Sequence, residues 1–125
     1  MAAVADNLDA RSTIVAEASA PLRAAIAVLR VSGPAAGEVC WFLTGRPYPV
    51  GRRAVVRTLR AGPNGEELDQ AMVIWLPGPS SFSGEDMLEL HVHGGAAVRA
   101  AVLTAILSVA EVRPAAPGEV SKRAF

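Results

Sequence analysis

Residues 81–95, SFSGEDMLELHVHGG, place three acids, two histidines and three glycines within fifteen positions. Three chemistries compete for this stretch. His91 and His93 lie two apart on an expected strand, so their rings leave the same face, a spacing that two metal ligands can use. The chain has no other histidine, so a third ligand must come from Glu89, Asp86 or a distant segment. Local hydrogen bonding of strand-end histidines is the stronger reading. Ser80, Ser81 and Ser83 stand near Asp86 and His93 and invite comparison with a hydrolase. Nothing around them resembles a nucleophile elbow, however, and serine-rich turns are common.

Glu89 is more informative. It sits between Leu88 and Leu90 on the face that carries Met87 and His91. A carboxylate there accepts two hydrogen bonds from a flat donor, either a guanidinium or the amide edge of an aminopyrimidine. Arg30 is the guanidinium the chain itself offers. It interrupts the apolar run AIAVLRVSG at 25–33, and an unpaired buried charge is very costly. An Arg30–Glu89 salt bridge and a ligand pocket lined by the pair are compatible. Gly94-Gly95 permits close backbone approach, and the helix that follows opens with free N–H groups.

The elements that must hold these residues follow from pattern. STIVAEA (12–18) alternates as a strand, and 25–33 reads as a buried strand. Residues 32–45 read as a helix capped by Ser32, with Pro34 in its first turn and Gly45 at its end. Val39, Phe42 and Leu43 supply its buried face. Strands are expected at 53–60 and 67–77, joined through the Asn64-Gly65 hairpin signal, and at 86–93. Residues 96–111 read as a helix with Val98, Val102, Ile106 and Val109 in one stripe, widened by Leu103 and Leu107. So apolar a helix asks for cover from the sheet and from a second subunit. The last fourteen residues show no regular pattern. The order β-β-α-β-β-β-α implies an α+β fold with a mixed or antiparallel sheet of about five strands and two main helices.

Composition narrows the classes. The chain has 125 residues, 51% hydrophobic and 19% charged, which suits one compact domain from residue 12 onward, preceded by a loose tail over 1–11. No apolar run is long enough to span a bilayer, and the N-terminus does not read as a secretory or transit leader. The lone cysteine, Cys40, reads as a buried small hydrophobe in a reducing, cytoplasmic setting. The net charge is zero but unevenly spread. Arg46, Arg52, Arg53, Arg57 and Arg60 crowd one segment, and Glu66, Glu67, Asp69, Glu85, Asp86 and Glu89 the next. Complementary surfaces of a dimer are one use; two solvated neighbouring strands are the simpler reading on charge alone. The single lysine, Lys122, belongs to no P-loop, and no G-x-G-x-x-G occurs.

Taken together, four segments resemble the N-terminal domain of the TrmE-type tRNA modification GTPase family. That family's P-x-S-[FY]-[ST]-G-E-D turn and E-x-x-x-H-G-G strand end are similar to Pro79, Ser81, Phe82, Ser83, Gly84, Glu85 and Asp86, then Glu89, His93, Gly94 and Gly95. STIVAEASAP, VLRVSGPAA and APGEVSKRAF resemble three further family motifs in register. The departures are Val120 in place of Phe, and Leu22, Ala24 and Ala25 where the family's loop carries glycines. The resemblance implies a fold similar to the folate domain of aminomethyltransferases. It also implies a domain that binds 5-formyl-tetrahydrofolate or a related reduced folate and forms a homodimer. Arg30, Glu89, His93, Gly94 and Gly95 would line the folate site, with Glu89 receiving the pterin's amino and amide N–H groups; no metal is implied in this chain. In the full-length family a GTPase domain, a flavin-dependent partner and tRNA join it in modifying the wobble uridine. Two other readings are a ligand-free dimerisation module and an aminomethyltransferase-like protein. This segment alone is expected to perform no chemistry.

Overall fold

The computed structural model describes residues 12–18, 26–93 and 95–124. Six strands and three helices follow one another along them: β1 (Thr13–Glu17), β2 (Ile26–Ser32), α1 (Ala36–Thr44), β3 (Ala54–Arg60), β4 (Glu67–Leu76), β5 (Met87–His93), α2 (Ala96–Leu107), β6 (Val112–Pro114) and α3 (Glu119–Ala124). The strands form one sheet in the order β3-β4-β5-β2-β1-β6. All neighbours are antiparallel except β1 and β6, which run parallel. The α+β class and the mixed sheet agree with the sequence reading. The tail 1–11 and most of the 20–27 loop, with Leu22, Ala24 and Ala25, lie outside the described residues.

One face of the sheet carries the core. Ala27, Leu29 and Val31 of β2, Leu88, Leu90 and Val92 of β5, and Ala71, Val73 and Trp75 of β4 alternate inward as strand geometry requires. Val39, Cys40 and Leu43 of α1 and Val102, Ala105 and Ile106 of α2 close over them in a single cluster. Truncating a fully buried leucine here, Leu29 or Leu90, would cost about 2 to 5 kcal/mol. The outward side of α2 carries Ala96, Ala97, Ala100 and Thr104, small side chains that expose little apolar area. Among the described residues no helix is long and apolar enough to cross a membrane.

The opposite face is graded in cross-strand rows. Ile14, Ser32 and Met87 stand side by side and are all fully buried. One step along, Ala16, Arg30, Glu89 and Ile74 are partly covered. A further step reaches Val28, His91, Met72 and Val56, where Met72 is 39% and Val56 68% exposed. Arg30 and Glu89 lie in the middle row, between a sealed end and an open one.

Three local expectations change. Ser32 does not cap α1: the cap position is Ala35, without a side-chain cap bond, and the Ala35 N–H donates to Thr13 Oγ1 at 2.7 Å instead. The Ser32 hydroxyl is spent on Ser83 and Glu85. The second helix ends at Leu107 rather than 111, because Ser108 turns back and donates its hydroxyl to the Ala105 carbonyl at 2.6 Å. The C-terminal segment, without pattern in sequence, forms β6 and α3. Gly45 does end α1, at φ 68° with its N–H on the Trp41 carbonyl. The Asn64-Gly65 turn does join β3 to β4, with Asn64 at φ 62°.

Candidate functional site

The antiparallel register of β2 and β5 sets Arg30 directly opposite Glu89. The Arg30 Nε donates to Glu89 Oε2 at 3.1 Å, with the arginine side chain 34% and the glutamate 14% exposed. The partner that the interrupted apolar run demands is therefore present. The other carboxylate oxygen, Oε1, lies 2.7 Å from His91 Nε2. His91, which the strand pattern leaves without a role, completes a triad. Burial raises the Glu89 carboxyl, but hydrogen bonds from His91 and Arg30 outweigh it and hold the group below the usual carboxylate range.

The Arg30 guanidinium also lies over the Phe82 ring, 5.7 Å from its centroid, a favourable position for a cation. Arg30 and Phe82 line a cleft of about 250 Å³ whose other walls are Ala16 and Glu17 of β1 and the segment from Ala115 to Ser121. Four segments far apart in sequence thus converge on one concavity. Glu89 stands behind Arg30 rather than in the cleft wall.

A second set of charges braces the cleft. Arg113 donates to both oxygens of Glu119, at 2.8 and 2.5 Å, and Arg123 reaches Glu119 at 3.3 Å and Glu85 Oε1 at 2.8 Å. Arg113 holds the Glu119 carboxyl at about 2, well below the ordinary range, against a smaller opposing effect of burial. Arg123 also donates to the Ser12 carbonyl at 2.9 Å, so α3 is tied to both the start of β1 and the 78–86 turn. In that turn Ser83 is 3% exposed and shares a 2.6 Å hydrogen bond with Ser32. Asp86 Oδ1 accepts the Gly78 N–H at 3.0 Å. Neither residue is placed for nucleophilic catalysis with His93.

His93 lies apart from the triad. It is four residues from Glu89, roughly 13 Å along the strand. Its ring Nδ1 is 2.9 Å from Asp69 Oδ1, while its N–H donates to Oδ2 at 2.8 Å. Gly95 begins α2 in an extended conformation, and nothing within 4 Å would meet a Cβ there; Gly94 lies outside the described residues. Among those residues, no group of three or more His, Cys, Asp or Glu is placed to hold a metal ion. Cys40 is buried, and desolvation raises its thiol above the usual value, as a packing role requires.

Residues 13–125 match the family described as the GTP-binding protein TrmE N-terminus. The chain belongs to this family. It is 54% identical over 113 residues to the tRNA modification GTPase MnmE of Methylobacterium sp. (strain 4-46), covering 90% of this chain and 26% of that protein. It is 58% identical over 114 residues to the MnmE of Methylorubrum populi, covering 90% of this chain and 25% of the relative. With the human mitochondrial 5-taurinomethyluridine-[tRNA] synthase subunit GTPB3 it shares 50% identity over 115 residues, 91% of this chain and 23% of the relative. The chain spans about a quarter of the length of these curated relatives.

In this TrmE N-terminal domain the resemblance motifs have physical duties. The Ser-Gly after Arg30 supplies the Ser32 hydroxyl for the turn and a glycine at φ 137°, where a Cβ would sit 2.7 Å from Thr13 Cα. The Gly-Glu pair of APGEV sets Glu119 between two arginines. Of the five residues expected at the site, the fold brings Arg30 and Glu89 together and leaves His93 and Gly95 elsewhere. Phe82, Glu119 and His91 join the site without having been expected there. The first two lie in the family-like motifs, and the third shares a strand face with Glu89, but spacing alone cannot show which way an imidazole pairs.

Proposed function

We propose that this domain binds a reduced folate, 5-formyl-tetrahydrofolate or a close one-carbon relative, at the Arg30 cleft, and so serves a tRNA modification GTPase that acts on the wobble uridine. The observation that supports it most is the Arg30–Glu89–His91 triad beside the cleft that Phe82 and Arg30 line. A carboxylate has about four lone-pair positions, and two are used here, so Glu89 retains capacity for a pterin's amino and amide N–H groups approaching from the sheet face beside the cleft. The cleft is below the roughly 300 to 1,000 Å³ common for drug-sized ligands. It suits one end of a folate, with the pterin lying along the sheet face toward Glu89.

That face supports the second part of the reading, a homodimer. The row Val28, His91, Met72 and Val56, with Ile26 46% exposed nearby, is apolar surface that a second copy would cover. A flavin-dependent partner and tRNA belong to the full-length reading, as does the cytoplasmic location, for which the buried free thiol of Cys40 is the only support.

Fluorescence or calorimetric titration with 5-formyl-tetrahydrofolate tests the ligand. Saturable binding that Glu89→Gln weakens at least tenfold is expected; absence of binding, or binding indifferent to Glu89→Gln and Arg30→Ala, overturns it. Light scattering tests the dimer, and a strict monomer at high concentration removes that part.

A further inference from the structure

The arginine segment of the sequence takes no part in the folate site, and its placement points elsewhere. Between residues 39 and 65 there are five arginines and no acid at all. They lie on and beside β3, the edge strand of the sheet. Among the described residues, no carboxylate comes within 4.0 Å of Arg46, Arg52, Arg53, Arg57 or Arg60, whereas Arg30, Arg99, Arg113 and Arg123 all have carboxylate partners. Arg52 is used within the fold, donating to the Ser80 carbonyl. Arg57 and Arg60 reach only backbone carbonyls, at 3.4 and 3.5 Å.

Three clefts along this edge share lining residues. Arg46 and Arg57 line one with Arg60, and another with Arg53 and Tyr48. Tyr48 then lines a third with Trp41. Trp41 is 56% exposed, and Tyr48 is 50% exposed while stacked on Trp75 with ring centroids 4.0 Å apart. A half-exposed indole one cleft away from guanidiniums that have no carboxylate within 4.0 Å matches two features of single-stranded RNA together. Phosphates take bidentate bonds from arginine, and unpaired bases stack on aromatic rings.

We propose that the β3 edge binds a single-stranded stretch of RNA, with Arg46, Arg53, Arg57 and Arg60 on the phosphates and Trp41 stacking a base. An acidic protein would satisfy the guanidiniums but would leave the exposed ring face of Trp41 without a flat partner. This site is separate from the Arg30 cleft, and the proposal stands whether or not that cleft takes folate.

The test is fluorescence anisotropy of the full chain with a labelled single-stranded RNA of about 12 nucleotides, within the span one such groove covers. The titration is repeated across a salt series and with a duplex RNA of the same length. Four phosphate contacts predict a slope of log affinity on log salt of about −3. Arg53→Gln with Arg60→Gln should roughly halve that slope and weaken binding at least tenfold at low salt. Trp41→Ala should weaken single-strand binding at least about fivefold while leaving the slope in place. Circular dichroism and 5-formyl-tetrahydrofolate titration of each variant confirm that the fold and the other cleft are intact. Four outcomes overturn the proposal: no saturable RNA binding at low salt, binding unchanged by the arginine pair, duplex bound as tightly as single strand, or heparin bound as tightly with no dependence on Trp41. If the arginine variants instead dissolve a dimer that binds no RNA, the edge serves a second copy and the proposal falls.

Discussion

The two ends of this sheet treat charge in opposite ways. Around β1, β2 and the C-terminal helix, Arg30, Arg113 and Arg123 are each within 3.3 Å of a carboxylate, and the acids they hold pair with more than one donor. Along β3, the arginines stand without a described carboxylate in reach, although Glu67 lies opposite Arg60 in the ladder. The difference separates internal from external work. Charges that position other parts of the chain are shielded and geometrically specified, whereas charges kept for another molecule stay solvated and unpaired. Breaking the first kind should cost stability; breaking the second should cost binding alone.

Among the substitutions that bear on this contrast, the largest stability effect is expected at Gly33. Its φ is 137°, and a methyl added there would stand 2.7 Å from Thr13 Cα, so an alanine has nowhere to go, since the obstacle is backbone. Gly33→Ala should lower unfolding free energy by about 3 kcal/mol through strain and displacement of β1 from α1. Urea denaturation measures this, and an unchanged midpoint would mean that β1 is not anchored as described. Next comes Arg123→Ala, which removes the tie among Glu85, Glu119 and Ser12. With the arginine side chain 11% exposed, a loss of about 2 kcal/mol is expected, below the figure for a fully buried pair because its partners retain some solvent and other donors.

How much of this contrast the sequence carried depends on the range of the interaction. Arg30 was legible because it interrupts an apolar run and an unpaired buried charge must be answered, and Glu89 because it sets a carboxylate between two buried leucines of an alternating strand. The β-strands and the hairpin at Asn64-Gly65 rest on local signals of period and turn chemistry. Ser32 misled because its local duty as a helix cap was displaced by a tertiary one, the turn at Ser83, while Thr13 supplied the missing acceptor from another strand. β6 and α3 had no local signal to give. Three residues of strand are placed by the parallel ladder to β1, and six residues of helix are tied down by Arg113, Glu119 and Arg123. His91 shows the same limit within a recognised strand, since its hydrogen bond to Glu89 depends on a rotamer.

Acid sharpens the comparison further. Glu119 is held at about 2 in the folded chain against roughly 4.3 for an unperturbed glutamate. Its stabilisation is therefore fully present above about pH 5 and is lost as the pH falls toward 2, when both states bind the proton. The loss should be about 1 to 3 kcal/mol, and Glu89, also lowered by its partners, adds a decline of the same sign. Glu119→Gln should remove most of the acid-dependent slope measured by urea titration between about pH 5 and 3. An undiminished slope in that variant would assign the acid sensitivity to other carboxylates.

The smallest effect belongs to the arginine edge and is the strictest test of the contrast. Arg53 and Arg60 are exposed, no described carboxylate lies within 4.0 Å of either, and the Arg60 bond to the Gly65 carbonyl is at 3.5 Å, the far limit of hydrogen bonding. Arg53→Gln and Arg60→Gln should therefore each change stability by less than about 0.5 kcal/mol. For Arg53 the sign should be toward greater stability at low salt, because its removal relieves repulsion among neighbouring arginines, whereas for Arg60 the Glu67 opposite it in the ladder offsets part of that gain. That gain should vanish at high salt, where the Debye length shrinks to a few ångströms, about 3 Å at 1 M. A loss above about 1 kcal/mol in either variant, insensitive to salt, would place the edge among the braced charges. The molecule would then have one way of using arginine rather than two.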